Sequence, residues 1–326
     1  MDGLLRTCIY RLGLAVATLF VVSVVIFSAV ETLPGDFARF VLGQSATPET
    51  LAAFRAELGL DRPPVQRYFT WIGNILRGDL GDSYSGIGST TAAARRSVAS
   101  LVLPRLANTF FLAGLAALIA VPLALAIGFY VALKPGGFVD RAVNVVTLSV
   151  ISVPEFFVAY VLIFFFAIRI QLFDPISDVS AEMDLWARLA RTILPALALV
   201  FATLGHMVRM TRATLISVLS STFIETARLK GLKAARILLY HAAPNAWAPV
   251  VAVVVANLAY LVAGVVVVEA VFAYPGAGSL MVDSVVSRNI PVVQACGLIF
   301  AAVYVLLNML ADIVTVFSDP RLRYPR

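Results

Sequence analysis

Charged residues are scarce in this chain. Only 13% of its 326 residues are Asp, Glu, Lys or Arg, whereas 60% are hydrophobic. A soluble domain typically contains about 25% charged residues. The composition therefore excludes an ordinary soluble globule and predicts a protein that lies mostly in lipid. In such a protein the net charge of +6 indicates membrane orientation rather than binding to nucleic acid.

Cysteine and histidine are also rare. Cys8 and Cys296 are too few for a disulfide framework or a thiolate metal site, and we expect both to be unpaired. His206 and His241 form no His-Glu-x-x-His motif, and no Gly-Lys dipeptide is present to complete a nucleotide-binding loop. We therefore expect neither metal chemistry nor nucleotide hydrolysis in this chain. Energy for uphill movement would come from a partner or an ion gradient.

Long apolar runs dominate what is present. A helix that crosses a bilayer needs about 20 predominantly apolar residues, with a range of about 17–25. Six windows qualify: 12–30, 106–133, 142–168, 192–208, 242–268 and 289–311. The first follows Arg6 and Arg11, as in a signal peptide, but its 19 residues exceed the about 7–15 of a signal core. We therefore predict an all-α membrane protein with six transmembrane helices, the first of them retained.

The basic residues are distributed unevenly between the segments that join these windows. With the N-terminus in the cytoplasm, thirteen Lys and Arg residues fall in cytoplasmic segments and four in short loops on the other side. Cytoplasmic loops carry an excess of Lys and Arg, so we expect both termini to be cytoplasmic. The predicted division is a tail and first helix at 1–31, an outer segment at 32–105, a membrane core at 106–318 and a cytoplasmic tail at 319–326.

The outer segment contains two helical patterns. Thr47 can cap a helix that starts near Pro48 and ends near Gly59, and residues 68–76 are amphipathic with Tyr68 and Trp71 on one face. Trp and Tyr are enriched at membrane interfaces. We expect a small ordered lid with one interfacial helix. The outer segment could equally serve as a packing collar around the helices or as a surface on which a partner docks.

The segment 209–241, here called the basic loop, holds six basic residues and is amphipathic. Ser221 or Thr222 can cap a short helix over 223–230, and Gly231 stands where a glycine in the left-handed conformation would end it. A second short helix is predicted at 233–242, before Pro244. The alternative is a loop that simply lies in the membrane interface.

Several motifs in the chain resemble one family of membrane proteins. Glu225-Thr226-Ala227-x-x-x-Gly231 resembles the "EAA" loop of binding-protein-dependent ABC importer permeases, and it lies between two predicted spans, as in that family. Five further matches indicate the dipeptide, oligopeptide and nickel branch. They are Leu33-Pro34-Gly35-Asp36, Gly78-Asp79-Leu80-Gly81-x-Ser83, Glu269-x-Val271-Phe272-x-Tyr274-Pro275-Gly276-x-Gly278, Asn308-x-x-x-Asp312 and Asp319-Pro320-Arg321. Together they cover nearly the whole chain.

The resemblance implies a fold, a function and partners. The fold is that of a type I ABC importer permease, a non-catalytic subunit that forms half of a pore for di- or oligopeptides, or for nickel complexes or another small solute. A second homologous permease, two ABC ATPases that bind ATP and Mg²⁺, and an extracytoplasmic binding protein complete the inner-membrane complex. The ATPase-coupling residues implied are Glu225, Thr226, Ala227, Arg228, Lys230 and Gly231.

Two departures from the family pattern bear on this resemblance. Pro244 occupies a position often filled by a helix-compatible residue, and we expect it to shorten the second coupling helix. Asn289 stands where the branch commonly has Asp. Neither changes the family to which the chain is similar, but both weaken any inference about its substrate.

Glu155 is the one carboxylate well inside an apolar window. A charge at a helix centre costs about 2.5–3.5 kcal/mol on insertion scales and usually faces a bundle interior or a water-filled cavity. Glu155 is therefore a candidate pore-lining residue that could meet a cationic group such as a peptide amino terminus. A packing role beside Pro154 is the alternative.

Two other function classes fit the sequence less well. A secondary transporter predicts inverted repeats and several carboxylates within the spans, and neither pattern is found. A membrane-embedded hydrolase needs a catalytic dyad within the spans. His206 is the only histidine in a window and has no nucleophile motif beside it, so we expect it to be a helix-end residue near Arg209.

Overall fold

A computed structural model describes residues 2–32, 46–57, 59, 61–84, 96–180, 182–233 and 236–318. Two of the predicted motif matches, Leu33-Pro34-Gly35-Asp36 and Asp319-Pro320-Arg321, lie outside these residues, as does the predicted tail at 319–326. The part of the chain described is nearly all helical and contains no strand, only an isolated antiparallel bridge between Asp82 and Ser97. The predicted all-α fold is therefore confirmed.

Eleven α-helices are described, and two of them adjoin π-helical segments. They are α1 (Asp2–Glu31), α2 (Pro48–Glu57), α3 (Pro64–Leu76), α4 (Val98–Ala132), α5 (Phe138–Ile151), α6 (Glu155–Leu162, continued by the π-helix Ile163–Arg169), α7 (Leu185–Leu219), α8 (Thr222–Leu229), α9 (Ala243–Val271, preceded by the π-helix Ile237–Ala242), α10 (Ala277–Val286) and α11 (Ile290–Ser318). In the described chain, α1, α4, α7, α9 and α11 contain stretches long and apolar enough to cross a membrane.

The third apolar window is a bent pair of helices rather than one continuous helix. The helical stretches Phe138–Ile151 and Glu155–Arg169 meet at 99°, and counting the pair as one span brings the total to six. Pro154 lacks an amide hydrogen and disfavours helical geometry at Val153, so the chain breaks there. The expectation that Glu155 lies near the middle of a helix is therefore wrong, because it is the first residue of α6.

The fourth window is the core of a much longer helix. α7 has 35 residues, which corresponds to about 52 Å at 1.5 Å per residue. This exceeds the hydrocarbon thickness of about 30 Å, and the helix continues ten residues beyond Arg209. The first part of the predicted basic loop is therefore helical. His206 lies well inside α7, so its predicted position at a helix end is wrong.

Small side chains bring α4 and α7 into close contact at the centre of the bundle. Ala116, Ala120 and Ala124 on α4 are fully buried, and a Cβ added at Gly128 would lie 2.8 Å from Cγ2 of Thr211 on α7. A main apolar core surrounds this contact and includes Leu112, Leu194, Leu199, Leu261, Phe272 and Tyr274. Long apolar side chains on the outside of the bundle, such as Phe20 and Leu118, are exposed and suit lipid contact.

Helices α1 and α11 pack antiparallel at one side of the bundle. A Cβ at Gly297 would contact Ile26, and Arg11 forms an ion pair with Asp312. Asp312 belongs to the Asn308-x-x-x-Asp312 motif, so this pair gives that motif a structural role. Cys8 and Cys296 are both free, as predicted.

The outer segment packs against α1 through an aromatic cluster. The Tyr68 hydroxyl lies 2.8 Å from Ser23 Oγ, and its ring contacts Phe27 and Trp71 edge-on or tilted. Thr47 Oγ1 accepts a hydrogen bond from the Thr50 amide at 3.2 Å, so the predicted cap of α2 is confirmed. The amphipathic pattern at 68–76 forms the greater part of α3.

Candidate coupling site

The short helix predicted in the basic loop is present as α8. α7 ends at Leu219, and Ser221 takes the extended conformation that starts α8. The Ser221 side chain donates to the Val218 carbonyl at 2.5 Å and does not cap α8. The carbonyl of Ser221 accepts from the amides of Ile224 and Glu225 at 3.1 and 3.2 Å. Ser221 is therefore hydrogen-bonded both to the last turn of α7 and to the first turn of α8.

Gly231 ends α8 in the left-handed conformation that its position predicts. Its φ is +75°. The Gly231 amide donates to the Arg228 carbonyl at 2.9 Å, and the Leu232 amide donates to the Ala227 carbonyl at 3.4 Å. This pair of bonds is the Schellman arrangement, which satisfies carbonyls at a helix end. A side chain at position 231 would strain the backbone, although open space surrounds the site.

The two sides of α8 differ sharply. Ile224 and Ala227 are buried against Leu215 and Ile237, in a cluster that also includes Ala132, Ala242, Ala246 and Val250. Glu225, Thr226, Arg228 and Lys230 are exposed. Two large apolar side chains on α8 are exposed as well: Phe223 is 46% exposed and Leu229 is 84% exposed. α8 is therefore held firmly on one side and presents charged and apolar groups on the other.

The second short helix predicted at 233–242 is helical over residues 237–242, but it is not separated from the helix that follows. The π-helix Ile237–Ala242 leads directly into α9, and Pro244 lies in the first turn of that helix. Proline is tolerated in a first turn because the amide there has no helical partner. The prediction of a helix before Pro244 is therefore correct over residues 237–242, but that helix continues into α9 instead of ending there.

A buried ion pair lies near the base of α8. Arg212 on α7 binds both carboxylate oxygens of Asp140, through Nε at 2.5 Å and Nη2 at 2.6 Å. Asp140 is only 3% exposed and also accepts from the Gly136 amide and the Asn144 side chain. The pair fixes the start of α5 to the half of α7 that leads to α8.

The motif around Glu269 forms a second polar centre, at the opposite end of the bundle. Glu269 is fully buried and accepts from Thr109 Oγ1 at 2.6 Å and from the amides of Gly278 and Ser279 at 2.7 and 3.1 Å. A Cβ at Gly276 would overlap the carboxylate. The glycines of the motif are therefore required because Glu269 occupies the space beside them at the start of α10.

Comparison with known proteins gives these features a context. Residues 124–324 match the family described as binding-protein-dependent transport system inner membrane component, and residues 4–113 match the N-terminal family of the same transport-system membrane component. The chain belongs to this family. It is a permease of a binding-protein-dependent ABC importer, a multi-pass protein of the inner membrane, and its family works with a substrate-binding protein and ATPase subunits. The predicted resemblance is confirmed.

Curated relatives match the permease over almost its whole length. A probable peptide ABC transporter permease of Sinorhizobium fredii is 33% identical over 315 residues, which are 96% of this chain and 98% of the relative. The glutathione transport system permease protein GsiC of Escherichia coli K12 is 34% identical over 321 residues, or 98% and 100% of the two chains. A putative peptide transport system permease of Brucella abortus is 33% identical over 314 residues, or 96% and 98%.

Some residues that hold the permease together belong to none of the sequence motifs. Asn108 donates to the Pro275 carbonyl at 2.9 Å, and its own carbonyl accepts from the Tyr274 hydroxyl at 3.0 Å. Arg188 binds Asn108 Oδ1 at 3.0 Å and stacks 4.0 Å from the Phe111 ring centroid. Burial raises the pKa of Tyr274 to about 12, so its hydroxyl stays a donor. Only the tertiary fold places Asn108 and Arg188 beside the Glu269 motif.

Glu155, the candidate pore-lining residue, is the first residue of α6 and contacts α9. Its Oε1 accepts from the Tyr260 hydroxyl of α9 at 3.2 Å, and Oε2 would be 2.9 Å from a Cβ at Gly264. Its side chain is half-buried. The structure therefore brings Glu155 together with α9, whereas the predicted coupling residues Glu225 to Gly231 lie on and just after α8.

Proposed function

We propose that α8 couples this permease to a cytoplasmic ATPase. The supporting observation is the division of α8 into a buried side and an exposed side that carries Glu225, Thr226, Arg228 and Lys230. Exposed apolar groups ringed by polar ones are typical of protein contacts, and Leu229 is the clearest example. Ala227 lies on the buried side of α8, where its small side chain lets the helix pack close to the bundle.

A rigid connection is needed for such coupling. Only Ser220 and Ser221 separate α7 from α8, and the Gly231 turn ends α8, so displacement of α8 moves α7 with it. The ion pair between Arg212 and Asp140 extends the connection to α5. Rigid-body motion can pass through packed elements in this way. Basic side chains at Arg228 and Lys230 would contribute rim contacts and favour association.

We further propose that the basic loop and both termini of the permease lie on the cytoplasmic side of the membrane. The excess of Lys and Arg in those segments supports this orientation. A second permease would complete the pore, two ATPases would bind ATP and Mg²⁺, and an extracytoplasmic binding protein would deliver the cargo. In this assembly the permease itself is not a catalyst.

Di- or oligopeptides are the proposed cargo. The relatives named for peptide and glutathione transport support this class, as do the branch motifs. Nickel complexes or another small solute form the alternative within the family. Among the described residues no group of three or more His, Cys, Asp and Glu side chains could hold a metal ion.

Gly231→Ala in the full complex tests the coupling role. Gly136 provides a matched control, since it also has a left-handed φ, of +78°, and open space around its Cα. Each alanine should cost about 1–2 kcal/mol of stability from backbone strain alone. We expect Gly231→Ala to lower both peptide uptake and ATP hydrolysis stimulated by the loaded binding protein. Gly136→Ala should lower neither once matched for the amount of assembled complex.

Two outcomes would contradict the proposal. An equal loss of peptide uptake and ATP hydrolysis in the two variants would show that backbone strain, and not the role of α8, lowers these rates. Uptake by the wild-type chain in vesicles without an ATPase, driven by an ion gradient, would indicate a secondary transporter.

A further inference from the structure

Three polar side chains from three helices lie near one another within the spans, and none of them belongs to α8 or to the Glu269 motif. Glu155 begins α6, Tyr260 lies on α9 and His206 lies on α7. Glu155 Oε1 accepts from the Tyr260 hydroxyl at 3.2 Å, and the rings of Tyr260 and His206 are 6.2 Å apart. We call this group the mid-span cluster.

Two close helix contacts create the mid-span cluster. At Gly264 a Cβ would lie 2.9 Å from Glu155 Oε2, so only glycine leaves room for the carboxylate against α9. At Gly205, next to His206, a Cβ would lie 3.0 Å from the Thr147 carbonyl of α5. The bend at Pro154 then turns Glu155 from the end of α5 towards α9.

The mid-span cluster is open on one side. His206 is exposed, Tyr260 is 47% exposed, and Ala256 and Ala263 on the same face of α9 are exposed as well. Hydrocarbon is a poor environment for a carboxylate and an imidazole, and ionisable groups within spans usually face a bundle interior or a water-filled passage. The open side is therefore better suited to a polar passage than to lipid.

The chemistry of the mid-span cluster fits a cation. Within the described residues Glu155 takes part in no ion pair, and its Oε2 has no hydrogen-bond partner. Arg209, one turn beyond His206 on α7, is the nearest basic residue along that helix. A primary ammonium has three donors and no acceptor. Glu155 Oε2, the Tyr260 oxygen and an imidazole nitrogen supply three acceptors, and the Tyr260 ring adds a cation–π surface.

We infer that Glu155, Tyr260 and His206 form a binding site on the translocation path for the amino-terminal ammonium of a transported peptide. This inference rests on the proposed import of peptides and identifies which group of the cargo is recognised inside the membrane. Glu155 contributes the charge, Tyr260 orients the carboxylate through Oε1, and His206 completes the acceptor set.

Thiol modification in the complete complex tests the inference without relying on transport. Ala263→Cys places a thiol on the exposed face of α9, in a background with Cys8→Ser and Cys296→Ala. Positively and negatively charged methanethiosulfonates of similar size are then compared. One nearby carboxylate should make the cation react about tenfold faster than the anion. Glu155→Gln keeps the acceptor for Tyr260 but should abolish the preference, whereas Glu155→Asp should keep part of it. Glu182→Gln removes an exposed carboxylate elsewhere and should change nothing.

The peptide group is identified by protection of the same thiol. A tripeptide with a free amino terminus should slow modification, and its N-acetyl analogue should not. Equal protection by both peptides, protection by neither, equal rates for the two reagents, or no reaction from water would each overturn the inference. A faster reaction with the positively charged reagent that persists in the Glu155→Gln variant would overturn the inference as well. Peptide uptake and stimulated ATP hydrolysis by the wild-type complex are measured in the same vesicles, so failure of the proposed function is seen separately.

Discussion

The hydroxyl of Thr109 lies 2.6 Å from Oε1 of Glu269 and joins the first third of α4 to the end of α9. The same oxygen of Thr109 accepts from the Ala277 amide at 2.9 Å. One hydroxyl therefore connects α4, α9 and the start of α10, and the Glu269 carboxylate closes the network from the other side.

Replacing Thr109 tests this network. Thr109→Val keeps the shape but leaves the Ala277 amide without its acceptor, and it should lower the free energy of unfolding by about 1–3 kcal/mol. Thr109→Ser retains the hydroxyl and should cost less. Thermal unfolding of the purified complex measures both. Equal midpoints for the valine and serine variants would show that the hydroxyl contributes nothing.

Two glycines of α4 provide a matched pair for the contact with α7. A Cβ at Gly128 would meet Thr211 at 2.8 Å, whereas Gly114 has no neighbour within 4 Å. We expect Gly128→Ala to push the helices apart and to cost about 1–3 kcal/mol, the usual range for overpacking. Gly114→Ala should be neutral or stabilising by up to about 1 kcal/mol through helix propensity. The yield and melting temperature of the complex report both. Similar behaviour of the two variants would contradict the close packing at Gly128.

The ion pair between Arg212 and Asp140 predicts a strong asymmetry between single and double variants. Arg212→Ala leaves a buried carboxylate without its partner and should cost about 3–5 kcal/mol. The double variant Arg212→Ala with Asp140→Ala should cost clearly less than the sum of the two single changes. Arg209→Ala is the control, because Arg209 is exposed and makes no ion pair among the described residues. Additive losses in the thermodynamic cycle would argue against a coupled pair.

Asn289 stands where the branch commonly has Asp, and its contacts show what this residue does in the structure. Its Nδ2 donates to Ser83 Oγ at 2.7 Å and its Oδ1 accepts from the Tyr84 amide at 3.0 Å. Asn289→Asp should be tolerated, because a carboxylate can accept from both the serine hydroxyl and the amide. Asn289→Leu should destabilise the complex by about 1–3 kcal/mol, because it removes both of these hydrogen bonds. The two variants are compared by thermal unfolding, and an Asp variant as unstable as the Leu variant would disprove this account.

The same contact shows how far the motifs could be read from the sequence. Ser83 and Asn289 are 206 residues apart, and each was noticed separately as part of a pattern. Their pairing depends on the packing of α11 beside the outer segment, which local spacing does not encode. Asn108 and Arg188 carry no pattern at all, although they hold the Glu269 motif in place. The charge of Glu155 and the imidazole of His206 are each unusual within an apolar window, but nothing local in the sequence indicates that the two residues lie on either side of Tyr260.

Local chemistry alone determined the apolar windows, the left-handed turn at Gly231 and the short helix before it. These features depend on hydrophobic length, φ preference and helix periodicity within about a dozen residues, so the sequence is sufficient to predict them. Pro154 places a break before Glu155, but the tertiary structure decided its 99° angle, the extension of α7 past Arg209 and the continuation of the helical segment Ile237–Ala242 into α9. Each of these depends on which distant side chains fill the space beside the backbone. Packing therefore selected one geometry among several that the local sequence allows.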